Sequence, residues 1–314
     1  LENRIVVPLA KISKNARNAI VAVEDKRFYK HKGVDLSGML RAVVTNAAGG
    51  STQGASTLTQ QYVKNVLIEA GLQASDPEAV EAARAATPAR KLREAKYALT
   101  LEKRYTKAQI LEGYLNIAAF GPSTYGIEAA SRHYFSHSAD SLTIGESALL
   151  AGMTNWPTRY DPITNPEAAK TRRDWVLQKM LEEKFITQEQ YKEATSQSID
   201  SMLKVTNAVG GCGSGSSGVT KSAAYFCEYV VREILTNDAY GKDEATRRQV
   251  LLRGGLQITT TLDMAKQQAA YDTMANWLPT GDESNVKGAL VSIEPGTGKI
   301  ITMVQNTNYG EPSN

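Results

Sequence analysis

The chain has 314 residues, 42% of them hydrophobic, which is enough to bury a core and fits one large domain plus a smaller one, or two. Its net charge of +3 suits an anionic substrate or a membrane surface and is too small to argue for nucleic acid. No run of the ~18 apolar residues that a membrane-spanning helix needs is present. The sequence shows no secretory signal and does not begin with Met, which leaves room for targeting or anchoring residues ahead of it.

In chain order, Ser13 is placed to cap a helix whose inward positions are Ala16, Ala19, Ile20 and Val23, spaced three and four apart. Glu24 and Asp25 follow at the end of that stripe. The helix dipole and an apolar wall both disfavour ionisation of Glu24 there, which makes it a better proton acceptor near neutral pH. Read alone, the pair is equally one that caps and solvates a helix end. Gly33 then permits a turn.

A polar loop over Gly49–Thr57 runs into Thr57-Leu58-Thr59-Gln60, a capping box. The helix it opens is expected to reach about Leu67, with Leu58, Tyr62 and Val66 inward and Gln60 and Lys64 one turn apart on another face. Such a helix start, with hydroxyls and a Lys, suits an anion. Residues 68–86 read as a polar, partly helical insertion. Thr87-Pro88 starts the next helix. There Arg90 and Glu94 share a face, and Ala98 and Leu101 carry the stripe inward. Glu94 is then either half of a surface ion pair or a second carboxylate in a basic cleft.

Thr106 to Gln109 is another capping box, ahead of Ile110, Leu111, Tyr114 and Leu115, with Asn116 as its end. His133 and His137 have metal-ligand spacing, but the chain has three histidines and no third ligand in register, which argues against zinc. Further helices are expected at 143–152, about 167–183, about 188–196 and around 223–236. Gly210–Gly218 is Gly- and Ser-rich and marks a linker. Cys212 and Cys227 flank it, a candidate disulfide in an oxidising compartment and two thiols in a reducing one; spacing alone does not decide. Leu256–Leu262 alternates like a strand, Asp263 caps a helix to about Trp277, and Ala289–Ile293 with Lys299–Val304 form a β-hairpin. The second domain reads as cut short.

Four motifs together resemble a known family. They are Glu24-Asp25-x-x-Phe28-x-x-His31-x-Gly33; Gly54-Ala55-Ser56-Thr57-Leu58-Thr59-Gln60-Gln61-x-x-Lys64-Asn65; Arg90-Lys91-x-x-Glu94-Ala95; and Lys107-x-x-Ile110-Leu111-Glu112-x-Tyr114-Leu115-Asn116. In order and spacing they resemble the peptidoglycan glycosyltransferase domain of class A penicillin-binding proteins, over about residues 1–200. The tail resembles the start of those proteins' transpeptidase domain. Ala55 stands where the family often has a second Gly, and the 66–89 insertion is longer than in many members. The transpeptidase motifs Ser-x-x-Lys, Ser-x-Asn and Lys-Thr-Gly are not found in working order. Ser201-Met-Leu-Lys204 and Ser13-Lys14-Asn15 match two by spelling but in the wrong places, so the fragment is expected not to react with β-lactams.

The resemblance implies a mainly α fold: a lysozyme-like, two-lobed helical domain over 1–205, a linker region over 206–255, and a small truncated α+β region over 256–314. It implies polymerisation of lipid II by inverting transfer with release of undecaprenyl pyrophosphate. Glu24 would be the general base. Glu94 would assist the leaving group through a divalent cation (Mg or Mn) or hydrogen bonds. Lys64, Arg90 and Lys91 would hold phosphates, and Ser56, Thr57, Gln60 and Gln61 would line the donor site. Asp25 would orient the loop; Phe28, His31 and Asn116 would be structural. The implied partners are lipid II and the nascent glycan, the membrane surface at the outer face of the bacterial cytoplasmic membrane, moenomycin-type inhibitors and cell-wall assembly proteins, with no nucleic acid. The 34–48 stretch either dips into the membrane or packs in the core. The rival readings are a lysozyme-like hydrolase, against which the cations argue since a hydrolase has no pyrophosphate to hold, and a non-catalytic lipid II-binding scaffold.

Overall fold

Side-chain oxygens begin most of the helices, because the first N–H groups of a helix lack intrahelical acceptors. In the computed structural model, which describes residues 3–38, 56–74, 76–206, 212, 221–252, 256 and 258–309, Ser13 caps α1 (Lys14–Glu24) and accepts from Ala16 N. Thr57 closes a full capping box on α2 (Leu58–Gln73). Asp76 caps α3 (Pro77–Arg84), and Thr87 caps α4 (Pro88–Leu101) with Pro88 in the first turn. Thr106, Thr143 and Thr187 close boxes on α5 (Lys107–Ile117), α7 (Ile144–Met153) and α9 (Gln188–Ser196). Between them lie α6 (Ile127–Phe135), α8 (Pro166–Glu182) and the single turn α10 (Ile199–Met202). A short parallel pairing of β1 (Asn3–Arg4) with β2 (Thr124–Tyr125) ties the first described residues to the middle of the chain.

The chain divides into two compact units, 2–206 and 207–314 with residue 1. The mainly helical fold expected is found. In the first unit α7 is buried from Gly145 to Met153 and mostly apolar, so it forms the centre against which α1 and α8 pack. Ala16, Ala19, Ile20, Leu149, Val176, Leu177 and Met180 fill that interface. Arg173 on α8 is fully buried, and its guanidinium donates to the carbonyls of Gln197 (2.7 Å) and Thr195 (3.3 Å) and to Asp174 (2.7 Å).

Several elements differ from the sequence reading. Helix α2 runs six residues past Leu67, and Val63 is buried where Val66 was expected; Val66 is exposed. The whole first turn of α2 is buried, which turns the inward stripe onto Val63 and Gly71. Gly71 lies so close to α3 that an added Cβ would meet Val80 at 2.9 Å, so the insertion folds back on α2. Helix α6 starts at Gly126 with no side-chain cap and φ +80°, which leaves no start signal in the sequence.

The second unit comprises α11 (Ala224–Thr236), an unforeseen polar helix α12 (Glu244–Leu252), α13 (Met264–Trp277) capped by Asp263, and the antiparallel hairpin β3 (Ala289–Ile293) and β4 (Ile300–Gln305). The expected strand over Leu256–Leu262 does not form among its described residues. Among the described residues there, Thr261 Oγ1 donates to Ile300 O (2.6 Å) and Asp263 N donates to Ile301 O (3.1 Å) on β4. Cys212 and Cys227 are joined in a disulfide. The Gly49–Ala55 loop, residues 39–48 of the stretch expected at the membrane or core, and most of the Gly/Ser tract lie outside the described residues.

Candidate active site

The end of α1 is fastened to the start of α2. Asp25, buried at the helix end, accepts from Leu58 N through Oδ2 (3.0 Å), and His31 Nε2 lies 2.8 Å from the same oxygen. Thr57 Oγ1 donates to Gly33 O (2.7 Å). Gly33 has φ +88°, and an added Cβ would stand 2.7 Å from Ala98 O on α4. The loop from Asp25 to Gly33 is thereby held between α2 and α4, and Phe28 is buried within it.

This fastening aims Glu24 across to α2. Its Oε2 accepts from Gln61 Nε2 (2.7 Å), and its Oε1 accepts from Thr154 Oγ1 (2.8 Å). Both donors are neutral, so among the described residues the carboxylate is oriented without an ion pair. The Tyr114 hydroxyl donates to Gln61 Oε1 (3.4 Å), which fixes the amide so that its NH2 group faces Glu24. Burial, then the Glu24 charge, pushes the Tyr114 phenol well above its ordinary range and keeps it a donor.

Glu94 is 1% exposed and is matched by two cations. Arg90 Nη1 donates to Oε1, and Lys91 Nζ lies 3.1 Å from Oε2 while also donating to Ser56 Oγ (2.8 Å). Lys64 stands nearby with its ammonium held below the ordinary lysine range. Burial is the main cause; Arg90, Lys91 and Arg84 add to it and Glu94 opposes it.

Glu24 and Glu94 line one groove of about 680 Å³, together with Ser56, Gln60, Gln61, Lys64 and Lys91. Two of the predicted site residues are not on its wall. Thr57 is taken up by the cap and by Gly33, and the Arg90 guanidinium lies behind Glu94, donating also to Ala85 O. The far wall was missed by the sequence reading: Thr154 after α7, and Arg172, Trp175 and Lys179 on α8. The signal was present, since 172, 175 and 179 are spaced three and four apart and share a helix face, but it was eclipsed by the helix's buried stripe. His133 and His137 are elsewhere, bonded to Thr206 O (2.9 Å) and to Glu146 (3.1 Å). Asn116 bridges to both backbone groups of Val7.

Among the described residues no three acidic, histidine or cysteine side chains converge, and both Glu94 oxygens already face cationic nitrogens. What the groove does offer is an oriented carboxylate, Glu24, and concentrated positive charge around Glu94. That pairing suits removal of a proton at the first and stabilisation of an anionic leaving group at the second.

Residues 1–181 match the family model described as Transglycosylase. The chain belongs to the transglycosylase family. Every groove residue, from Val23 to Lys179, falls inside the matched segment. Among similar curated proteins is penicillin-binding protein 1A of Mycobacterium tuberculosis, 33% identical over 95% of this chain and 33% of that protein. Penicillin-binding protein 1F of Bacillus subtilis is 33% identical over 98% of this chain and 39% of its own length. Penicillin-binding protein 1A of Neisseria lactamica is 36% identical over 89% of this chain and 31% of its own. The chain thus spans about a third of the length of these relatives.

Proposed function

We propose that this transglycosylase polymerises peptidoglycan glycan strands from lipid II at the outer face of the bacterial cytoplasmic membrane. The observation that carries the reading is the opposition, in one groove, of the neutral-donor-held Glu24 and the cation cluster around Glu94. In this reading the acceptor sugar hydroxyl gives its proton to Glu24 as its oxygen bonds to the donor's anomeric carbon. The bond from that carbon to the pyrophosphate oxygen breaks on the opposite face, so configuration inverts and undecaprenyl pyrophosphate leaves. Lys64 and Lys91 meet the phosphate charge directly. Glu94 and Arg90 form the buried pair that holds Lys91 in place. Ser56, Gln60 and Gln61 supply neutral hydrogen bonds to the donor. Moenomycin-type inhibitors would compete for the groove.

Gel separation of products from labelled lipid II tests this. Glu24→Gln is expected to lower polymerisation by about 10³-fold or more, the scale of a lost general base, while lipid II binding stays within a few-fold. Survival of activity would overturn the assignment of the base, and release of fragments from finished glycan would turn the reading to a hydrolase. We further propose that Ser201 and Lys204 do not acylate. Ser201 Oγ donates to Ser198 O (2.8 Å) within α10, and a fluorescent penicillin is expected to leave this chain unlabelled.

A further inference from the structure

A ladder of alternating cations and aromatic rings leaves the groove along its α8 wall. Lys179 Nζ lies 5.9 Å from the centre of the Trp175 ring, and the Arg172 guanidinium lies 4.1 Å from that ring and 5.5 Å from Tyr160. Arg159 continues it, 5.7 Å from Tyr160 and 5.2 Å from Trp156. Lys179, Trp175 and Arg172 line the groove beside Glu24. At the other end Trp156 sits at the groove's lip, between Asn155 and Pro157, which both line it. The N–H groups of Arg159 and Tyr160 both donate to Trp156 O (3.1 Å each), which fixes the turn that presents the ring.

Trp156 is 53% exposed and Trp175 40% exposed. Rings placed there for packing would be buried; these are left in water, held in position by cations on their faces. Among the described residues Arg159 has no carboxylate partner, so its charge is left for something that comes from outside. The chemistry that fits alternating ring faces and guanidinium groups is a saccharide bearing carboxylates. The axial C–H bonds of a pyranose carry partial positive charge and lie flat on the negative face of an indole, and carboxylates on its side groups meet the arginines.

We propose that this ladder is a saccharide subsite running from the groove to its lip, on which Trp156 and Arg159 hold sugar rings of the glycan beyond those at the reacting bond. The inference rests on the glycan-polymerising reading. A membrane surface is the less favoured occupant, because the cations are interleaved between the rings and the ladder opens into the groove that holds Glu24.

The test uses the chain carrying Glu24→Gln, whose turnover is expected to be about 10³-fold lower, titrated with lipid-free glycan strands and followed by tryptophan fluorescence and calorimetry. Trp156→Ala is expected to weaken binding about five-fold or more, Arg159→Ala to weaken it less, and Trp156→Phe to stay within about two-fold, as aromatic and cation–π contacts predict. Unchanged affinity in Trp156→Ala overturns the proposal. So does loss of binding to anionic phospholipid vesicles with glycan affinity intact. Should Trp156→Ala melt early, Arg159→Ala carries the test, since it removes one exposed cation. The two readings fail separately. A parent chain that does not extend lipid II overturns the function, whereas a parent that extends it with Trp156→Ala still binding glycan overturns the ladder alone.

Discussion

Lys64 and Glu94 show how one residue's chemistry is set by its neighbours. Lys64 titrates below the ordinary lysine value, first because it is partly buried and then because Arg90, Lys91 and Arg84 repel its charge. An anion in the groove favours the protonated form. Affinity for inorganic pyrophosphate is therefore expected to hold below that lowered pKa and to fall as pH rises through it, with Lys64→Ala flattening the profile; calorimetric titration across the alkaline range checks this. Glu94 is the counter-ion beside which these cations stand together, with Arg90 facing one of its oxygens and Lys91 the other. The residue types of this cluster were legible in the sequence: Lys64, Lys91 and Glu94 all face the groove. That Arg90 would instead point behind Glu94 was not, because spacing gives the face of a helix but not which rotamer the neighbouring carbonyl of Ala85 will capture.

At the scale of elements, the site depends on three helix ends meeting at one loop. Gly33 sits in that loop with φ +88° and no room for a Cβ against the backbone of Ala98. Gly33→Ala is expected to destabilise the fold by about 2 kcal/mol or more, from the left-handed backbone and the collision together. It should also lower activity by shifting Glu24 relative to Gln61. Urea unfolding and the lipid II assay read the two effects. Helices with a hydroxyl or carboxylate at the cap were predictable because the cap is a local interaction. Ser13, Thr87, Thr106, Thr143 and Asp263 all begin helices where expected. Of those without one, α8 and α11 were still expected, and α6 was not. Helix α6 begins at a glycine whose freedom to adopt φ +80° is all that marks it, and the run after Leu256 forms no strand among its described residues.

For the whole molecule, the first unit carries the groove and the second carries the disulfide between residues 15 apart in sequence. Reducing that bond releases a loop whose closure is worth about 3 kcal/mol. The second unit is expected to lose about that much stability under reducing agent, while initial polymerisation rates hold, as differential scanning calorimetry with parallel activity measurements checks. Read in isolation, the sequence settled a mainly helical first unit, most helix starts, and the four motifs with their acids and bases. These depend on neighbours within four residues or on the spelling of the chain. Tertiary structure alone decided that Glu24 and Glu94 share a groove, that Thr154 and α8 form its opposite wall, and that Thr57 and Arg90 turn away. Each of those is a contact between residues made neighbours only by packing, as Glu24 and Thr154 are across 130 positions, and no local pattern encodes the partner at the far end.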